Sequence, residues 1–144
     1  MDSATAALLG SLLGGSATIA TAWITQRWSA RRERIRDEIL QRELLYSDFV
    51  GEVSKLALDS FLNRLESAEK VFPSFALLNR IRIASSPEVL AAAERTVMRI
   101  SDQYFSENMT LEQLREMARS HPESPLKEFS EACRKELEEL RRKL

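Results

Sequence analysis

The chain has 144 residues, 30% of them charged, with a formal net charge of −1 and only four Gly and four Pro. This is the length of one small domain with an anchor, and its abundance of Ala, Leu, Glu and Arg favours helix over strand. A single Cys and a single His exclude an internal disulfide and a Cys-rich metal site, so no metal or cofactor is expected.

Ser3 to Gln26 contains no charged residue. At about 1.5 Å per residue a helix of that length covers a bilayer core of about 30 Å. The charge before it is Asp2, and the positive cluster comes after it: residues 27–36 carry five Arg and one Glu. A secretory signal peptide has the reverse order. The stretch therefore predicts an uncleaved single-pass transmembrane helix. Arg27, Arg31, Arg32, Arg34 and Arg36 hold the following chain in the cytoplasm, because Lys and Arg accumulate on that side of membranes. Trp23 and Trp28 lie at the boundary, where indole rings prefer the headgroup layer. Membrane lipids are thus the first expected partner, and the same Arg cluster suits anionic headgroups. The division is an anchor over residues 1–27 and a cytoplasmic helical domain over 28–144.

On a helical wheel the span has two sides. Leu8, Leu9, Leu12, Leu13, Ile19, Trp23 and Ile24 form the side expected to face lipid. Ala7, Gly10, Ser11, Gly14, Gly15, Thr18, Thr21, Ala22 and Thr25 form the other. Gly10 and Gly14 make a GxxxG pair, and small residues let helix backbones approach closely where no hydrophobic effect drives them together. An oligomer interface is expected on Ala7, Gly10, Ser11, Gly14, Thr18, Thr21 and Thr25. The hydroxyls of that face either bond between helices and back to their own carbonyls or line a polar pore.

From Arg27 the chain runs without Pro to Phe72, with Gly51 as its one Gly, which predicts that the span continues as one long helix. A 4-3 spacing crosses the boundary unbroken: Ala7, Ser11, Gly14, Thr18, Thr21, Thr25, Trp28, Arg32, Ile35, Ile39, Arg42, Tyr46, Phe49, Val53 and Leu56. That is the register of a parallel coiled coil, and a parallel homo-oligomer is expected from it. Arg32 and Arg42 fit it poorly, since identical charges would meet. After Glu43 the apolar stripe widens through Leu44, Leu45, Val50, Leu58, Phe61, Leu62 and Leu65, so the later chain must fold back on this helix. Phe72-Pro73 is expected to end it.

Phe75 to Ala84 reads as a short helix for want of a partner strand. Ser86-Pro87-Glu88 is a helix start, with an N-cap, a Pro in the first turn and an acid near the positive helix end. That helix should reach about Phe105 and bury Leu90, Ala93, Val97, Ile100 and Tyr104. Thr110 to Gln113 is a T-x-x-Q capping box opening a helix to about Ser120, closed by His121-Pro122. Ser124-Pro125 opens the last helix, whose stripe is Leu126, Phe129, Cys133, Leu137, Leu140 and Leu144. The fold class is all-α: a transmembrane helix continuing into a long cytoplasmic helix, with the C-terminal helices folded back as a small bundle.

No catalytic constellation emerges, and no enzyme activity is expected. His121 has no nucleophile near it in sequence. Cys133 lies on an apolar stripe and acts there as a small hydrophobe. Glu112 with Glu116, and Glu136 with Glu139, are read as exposed helical pairs. With +4 over residues 27–36 and −1 at Asp2, residues 37–144 carry −4, so nucleic acid is not an expected partner. The arrangement GSLLGG…WITQRWSARRERIR resembles that of small bacterial proteins with one Ala/Gly-rich span, an Arg-rich exit and a helical cytoplasmic domain, and it implies a bacterial inner-membrane setting; the Arg cluster itself puts the N-terminus outside. The function expected is an oligomeric inner-membrane scaffold whose bundle binds a protein partner in the cytoplasm or membrane; the alternative is an effector whose spans assemble into a pore.

Overall fold

A computed structural model describes the backbone of residues 3–65, 67–120 and 126–144, with side chains throughout except at 3–21, 117, 118 and 120. Among these residues five α-helices follow one another: α1 (Ser3–Leu62), α2 (Phe72–Ala84), α3 (Pro87–Tyr104), α4 (Leu111–Ser120) and α5 (Lys127–Arg141), with a 3-10 turn at Ala68–Lys70 between the first two. Among the described residues there is no strand. Among them, too, no helix is long and apolar enough to cross a membrane; most of the stretch expected to do so has its side chains outside the described residues.

The bundle is built on the second half of α1. Tyr46, Phe49, Val53 and Leu56 are buried at spacings of three and four, against Leu78 and Ile81 of α2, Val89, Ala93, Val97 and Ile100 of α3, and Phe129 and Cys133 of α5. α5 runs antiparallel to α1: its Phe129 ring packs 4.7 Å from that of Phe49 and edge-on to Tyr46 at 5.9 Å, and Glu136, two turns on, reaches back to Arg42. α3 runs parallel to α1, with Ser86 near the Arg42–Tyr46 level and the Tyr104 hydroxyl donating to Asp59 at 2.7 Å. The buried Ser60, Ser74 and Thr96 hydroxyls donate to the nearby carbonyls of Ala57, Val71 and Ala92, so each is paired within the core.

The helix starts follow local chemistry. Ser86 caps α3 by accepting from the Val89 N–H, with Pro87 in the first turn. At α4 both halves of the capping box form: the Thr110 N–H donates to Gln113 Oε1 at 2.9 Å, and the Gln113 N–H to Thr110 Oγ1 at 3.3 Å. The stripe of α3 is buried as expected at Ala93, Val97, Ile100 and Tyr104, with Leu90 half-buried.

Several expectations change. α1 ends at Leu62, not at Phe72, and Phe72-Pro73 opens α2 instead of closing α1. A Pro in the first turn loses no helical hydrogen bond, so the same residue serves as a start signal. The seam expected to meet a second copy from Ile39 onward is used within the chain: Ile39, Tyr46, Phe49, Val53 and Leu56 are covered by the protein's own helices. Leu44 and Leu58, placed on the widened stripe, are exposed, and so is Leu144, which lies beyond α5. Leu137 is half-buried, whereas Glu136, read as exposed, is buried. α5 lies against the Arg42–Val50 level of α1, and Val53 and Leu56 lie beside α2 and α3.

Candidate functional site

Two features stand apart from the packed core, one on the bare part of α1 and one where three helices converge. The bare part is residues 22–38. All are exposed but Ile35, which is half-buried, and the buried core begins at Ile39. This length of helix projects about 25 Å beyond the bundle. Trp23, Arg27, Arg31 and Arg34 recur at spacings of four, four and three, which places them along one stripe. The Arg27 guanidinium lies 4.3 Å from the Trp23 ring centroid, a cation–π contact one turn apart. Trp28 is 67% exposed. Among the described residues Arg31, Arg32, Arg34 and Arg36 form no ion pair. A groove of about 550 Å³ opens along this collar, lined by Trp28 and the four arginines from Arg27 to Arg34, and on its other wall by Lys143 and Leu144.

All seven residues expected at the membrane surface thus lie on this exposed collar. Of the expected oligomer face, Ala7, Gly10, Ser11, Gly14, Thr18 and Thr21 lie outside the residues whose side chains are described, and Thr25 is exposed. Nothing in the sequence marks Lys143 as part of the collar, because it is more than a hundred residues away. Only the antiparallel run of α5 brings it there.

The second feature is the Glu136 carboxylate. Its Oε1 accepts from Arg42 Nη1 at 2.6 Å and from the Ser86 backbone N–H at 2.6 Å, and its Oε2 accepts from the Tyr46 hydroxyl. Arg42 also reaches Glu38 at 2.6 Å, and the Tyr46 hydroxyl lies 3.0 Å from Ser85 Oγ. One acid therefore ties α1, the α2–α3 junction and α5. This resolves the misfit of Arg42 in the apolar register: the charge meets an acid from its own chain. The clue was present in α5, where Glu136 sits three residues after Cys133 and four before Leu140, in phase with the buried stripe. Both carboxylate oxygens are engaged by donors, so the arrangement joins helices and holds no free base. Burial, and then the Glu136 bond, push the Tyr46 hydroxyl above its ordinary range. Burial and the nearby Glu136 charge push the Cys133 thiol up to about 12, which leaves it protonated and inert at neutral pH. Among the described residues no three His, Cys, Asp or Glu side chains converge to hold a metal ion; His121 lies outside them. In comparison with protein families, curated proteins and solved structures, the chain matches none.

Proposed function

We propose that the protein is a single-pass inner-membrane scaffold: residues 3–26 span the bilayer, the small face of that span joins copies in parallel, and the bundle is presented in the cytoplasm to a protein partner. The supporting observation is the layout of α1, one helix from Ser3 to Leu62 in which an uncharged run, an exposed arginine collar and a bundle-forming half follow in that order. Lipid, the membrane surface and the cytoplasm are the three settings those compositions suit. With the second half of the heptad register occupied inside the chain, association rests on Gly10, Ser11, Gly14 and the other small residues of the span. An alkaline phosphatase fused at Leu144 should be inactive and a cytoplasmic reporter at the same point active; the reverse result would overturn the topology. In a membrane-association reporter, Gly14→Leu should dissociate the oligomer and Leu12→Phe leave it intact. The hydroxyls at Ser11, Thr18, Thr21 and Thr25 support a second reading, a pore, which an ion leak from liposomes, abolished by Gly14→Leu, would put ahead of the scaffold.

A further inference from the structure

We propose that the groove between the collar of α1 and the end of α5 seats the headgroup of an anionic phospholipid, with Lys143 completing a site begun by Arg27, Arg31, Arg32 and Arg34. The inference rests on reading residues 3–26 as a span, and adds to it a specific lipid class and a residue from the far end of the chain.

Placement comes first. α5 is fixed against α1 at three levels, by Phe129 on Phe49, by Glu136 on Arg42 and by Arg141 on Glu43. Running antiparallel, it delivers Lys143 and Leu144 to the wall opposite the collar. Charge comes second. Five cationic side chains line one groove, and among the described residues Arg31, Arg32, Arg34 and Lys143 have no acidic partner within ion-pair distance. Like charges held that close repel, and an anion between them removes the repulsion. Shape and polarity come third. Trp28 and Leu144, 67% and 40% exposed, stand among these cations. A phosphodiester carrying acyl chains satisfies both kinds of wall at once: the phosphate meets the guanidinium groups, which bind it in a planar fork, and the glycerol and first methylenes meet the apolar side chains. Nucleic acid offers the phosphate without the apolar part. It also needs a longer basic track than this one, because the rest of the chain from residue 37 carries −4.

The two Trp of the protein are both on the collar and serve as the probe. The full chain is reconstituted in phosphatidylcholine bilayers containing phosphatidylglycerol, with one or the other lipid brominated, and the quenching of tryptophan fluorescence gives the relative occupancy of the two lipids. The parent should prefer phosphatidylglycerol several-fold. Lys143→Gln should lower that preference by up to about five-fold, the factor equivalent to about 1 kcal/mol for one cation near the surface. Lys55→Gln, an equal charge change far along α1, should leave it unaltered. At about 0.5 M salt, where the screening length is only a few Å, the preference should largely vanish. Equal preference in the parent and Lys143→Gln would overturn the composite site, as would an equal loss from Lys55→Gln. A short DNA duplex that binds the chain and displaces phosphatidylglycerol would assign the groove to nucleic acid and overturn it too. Failure of the underlying reading looks different: a chain without a span is stripped from both bilayers by alkaline carbonate and is quenched by neither lipid.

Discussion

The two halves of α1 share one helix and one heptad register and have opposite surroundings. From Ile39 to Leu56 the register positions are Ile, Arg, Tyr, Phe, Val and Leu, and all but Arg42 are buried under α2, α3 and α5. From residue 22 to 38 the register offers Thr25, Trp28, Arg32 and Ile35, of which the first three are exposed and Ile35 is half-buried. Period alone does not tell these halves apart. Side-chain size and charge do, because a stripe folds back upon itself only where burying it gains more than the ordering of the covering helices costs. One buried Phe or Leu contributes about 1.5–3 kcal/mol, and an exposed Arg contributes nothing of the kind.

The sharpest way to test this contrast is to truncate one large residue in each half's environment. Phe129 is fully buried against Phe49 and Tyr46, and Phe129→Ala should destabilise the bundle by about 3–5 kcal/mol. Trp28→Ala, on the bare half, should change it by less than about 0.5 kcal/mol. The buried thiol supplies the measurement. Cys133 should react with an alkylating reagent only on opening, so its reactivity in rising urea reports the bundle and ignores the rest of α1. Comparable losses at the two sites would mean that the collar packs against the bundle after all.

The next effect in size is at Glu136. Glu136→Gln removes the charge that Arg42 and the Tyr46 hydroxyl bond to, and should cost about 2–3 kcal/mol by the same thiol assay. Arg42→Leu combined with Glu136→Leu should cost less than the sum of the two single changes, since each single change strands its partner. Strict additivity would show that the two side chains do not depend on each other.

A smaller effect carries a pH signature. The Tyr104 hydroxyl, ahead of the contributions from Asn63 and Lys70, holds the Asp59 carboxyl below the ordinary carboxylate range. A depressed folded-state value stabilises the fold above the unfolded pKa of about 3.9 and is lost as pH falls through the folded value. Tyr104→Phe should therefore cost about 1 kcal/mol at pH 7 and progressively less as pH falls below the unfolded carboxylate value of about 3.9, as read from denaturation curves followed by circular dichroism. A gap that stays constant into acid would assign the hydroxyl's contribution to something other than the Asp59 charge.

What was legible in the sequence divides along physical lines. Local signals survived: Ser86 with Pro87, Thr110 with Gln113, and the stripe through Ala93, Val97 and Ile100 depend on neighbours within a few residues. The end of α1 did not, since no single residue between Leu62 and Phe72 forbids helix; the chain leaves it where α2 must turn back to cover Leu56. The partner of the heptad stripe was also hidden. A stripe such as Tyr46, Phe49 and Val53 states that something covers it, and says nothing of whether the cover is a second copy or the same chain. Glu136 and Lys143 were missed for one reason: each acquires its role from the antiparallel placement of α5 on α1, a long-range fact, although the in-phase position of Glu136 opposite a misfit Arg42 was a usable hint.

The smallest effect tests the outer side of the bundle half. Gly51 lies in the middle of α1, where a Gly costs about 0.5–1 kcal/mol relative to Ala through its extra freedom in the unfolded chain. A mid-helix Gly is usually kept where another backbone comes close. Here a Cβ would meet nothing within 4 Å, and the residue is exposed, so within one chain the position has no packing requirement. Gly51→Ala should then raise bundle stability by about 0.5–1 kcal/mol in the thiol assay. The bulkier Gly51→Leu should leave association between copies unchanged, because the proposed contacts lie in the span. The two substitutions together separate the surfaces of α1. A stabilised Gly51→Ala with undisturbed association for Gly51→Leu leaves the outer side of the second half free, and confines contacts between copies to the first half. Loss of association with Gly51→Leu, at unaltered bundle stability, would place a second copy's backbone against Gly51 and move part of the oligomer interface onto the bundle.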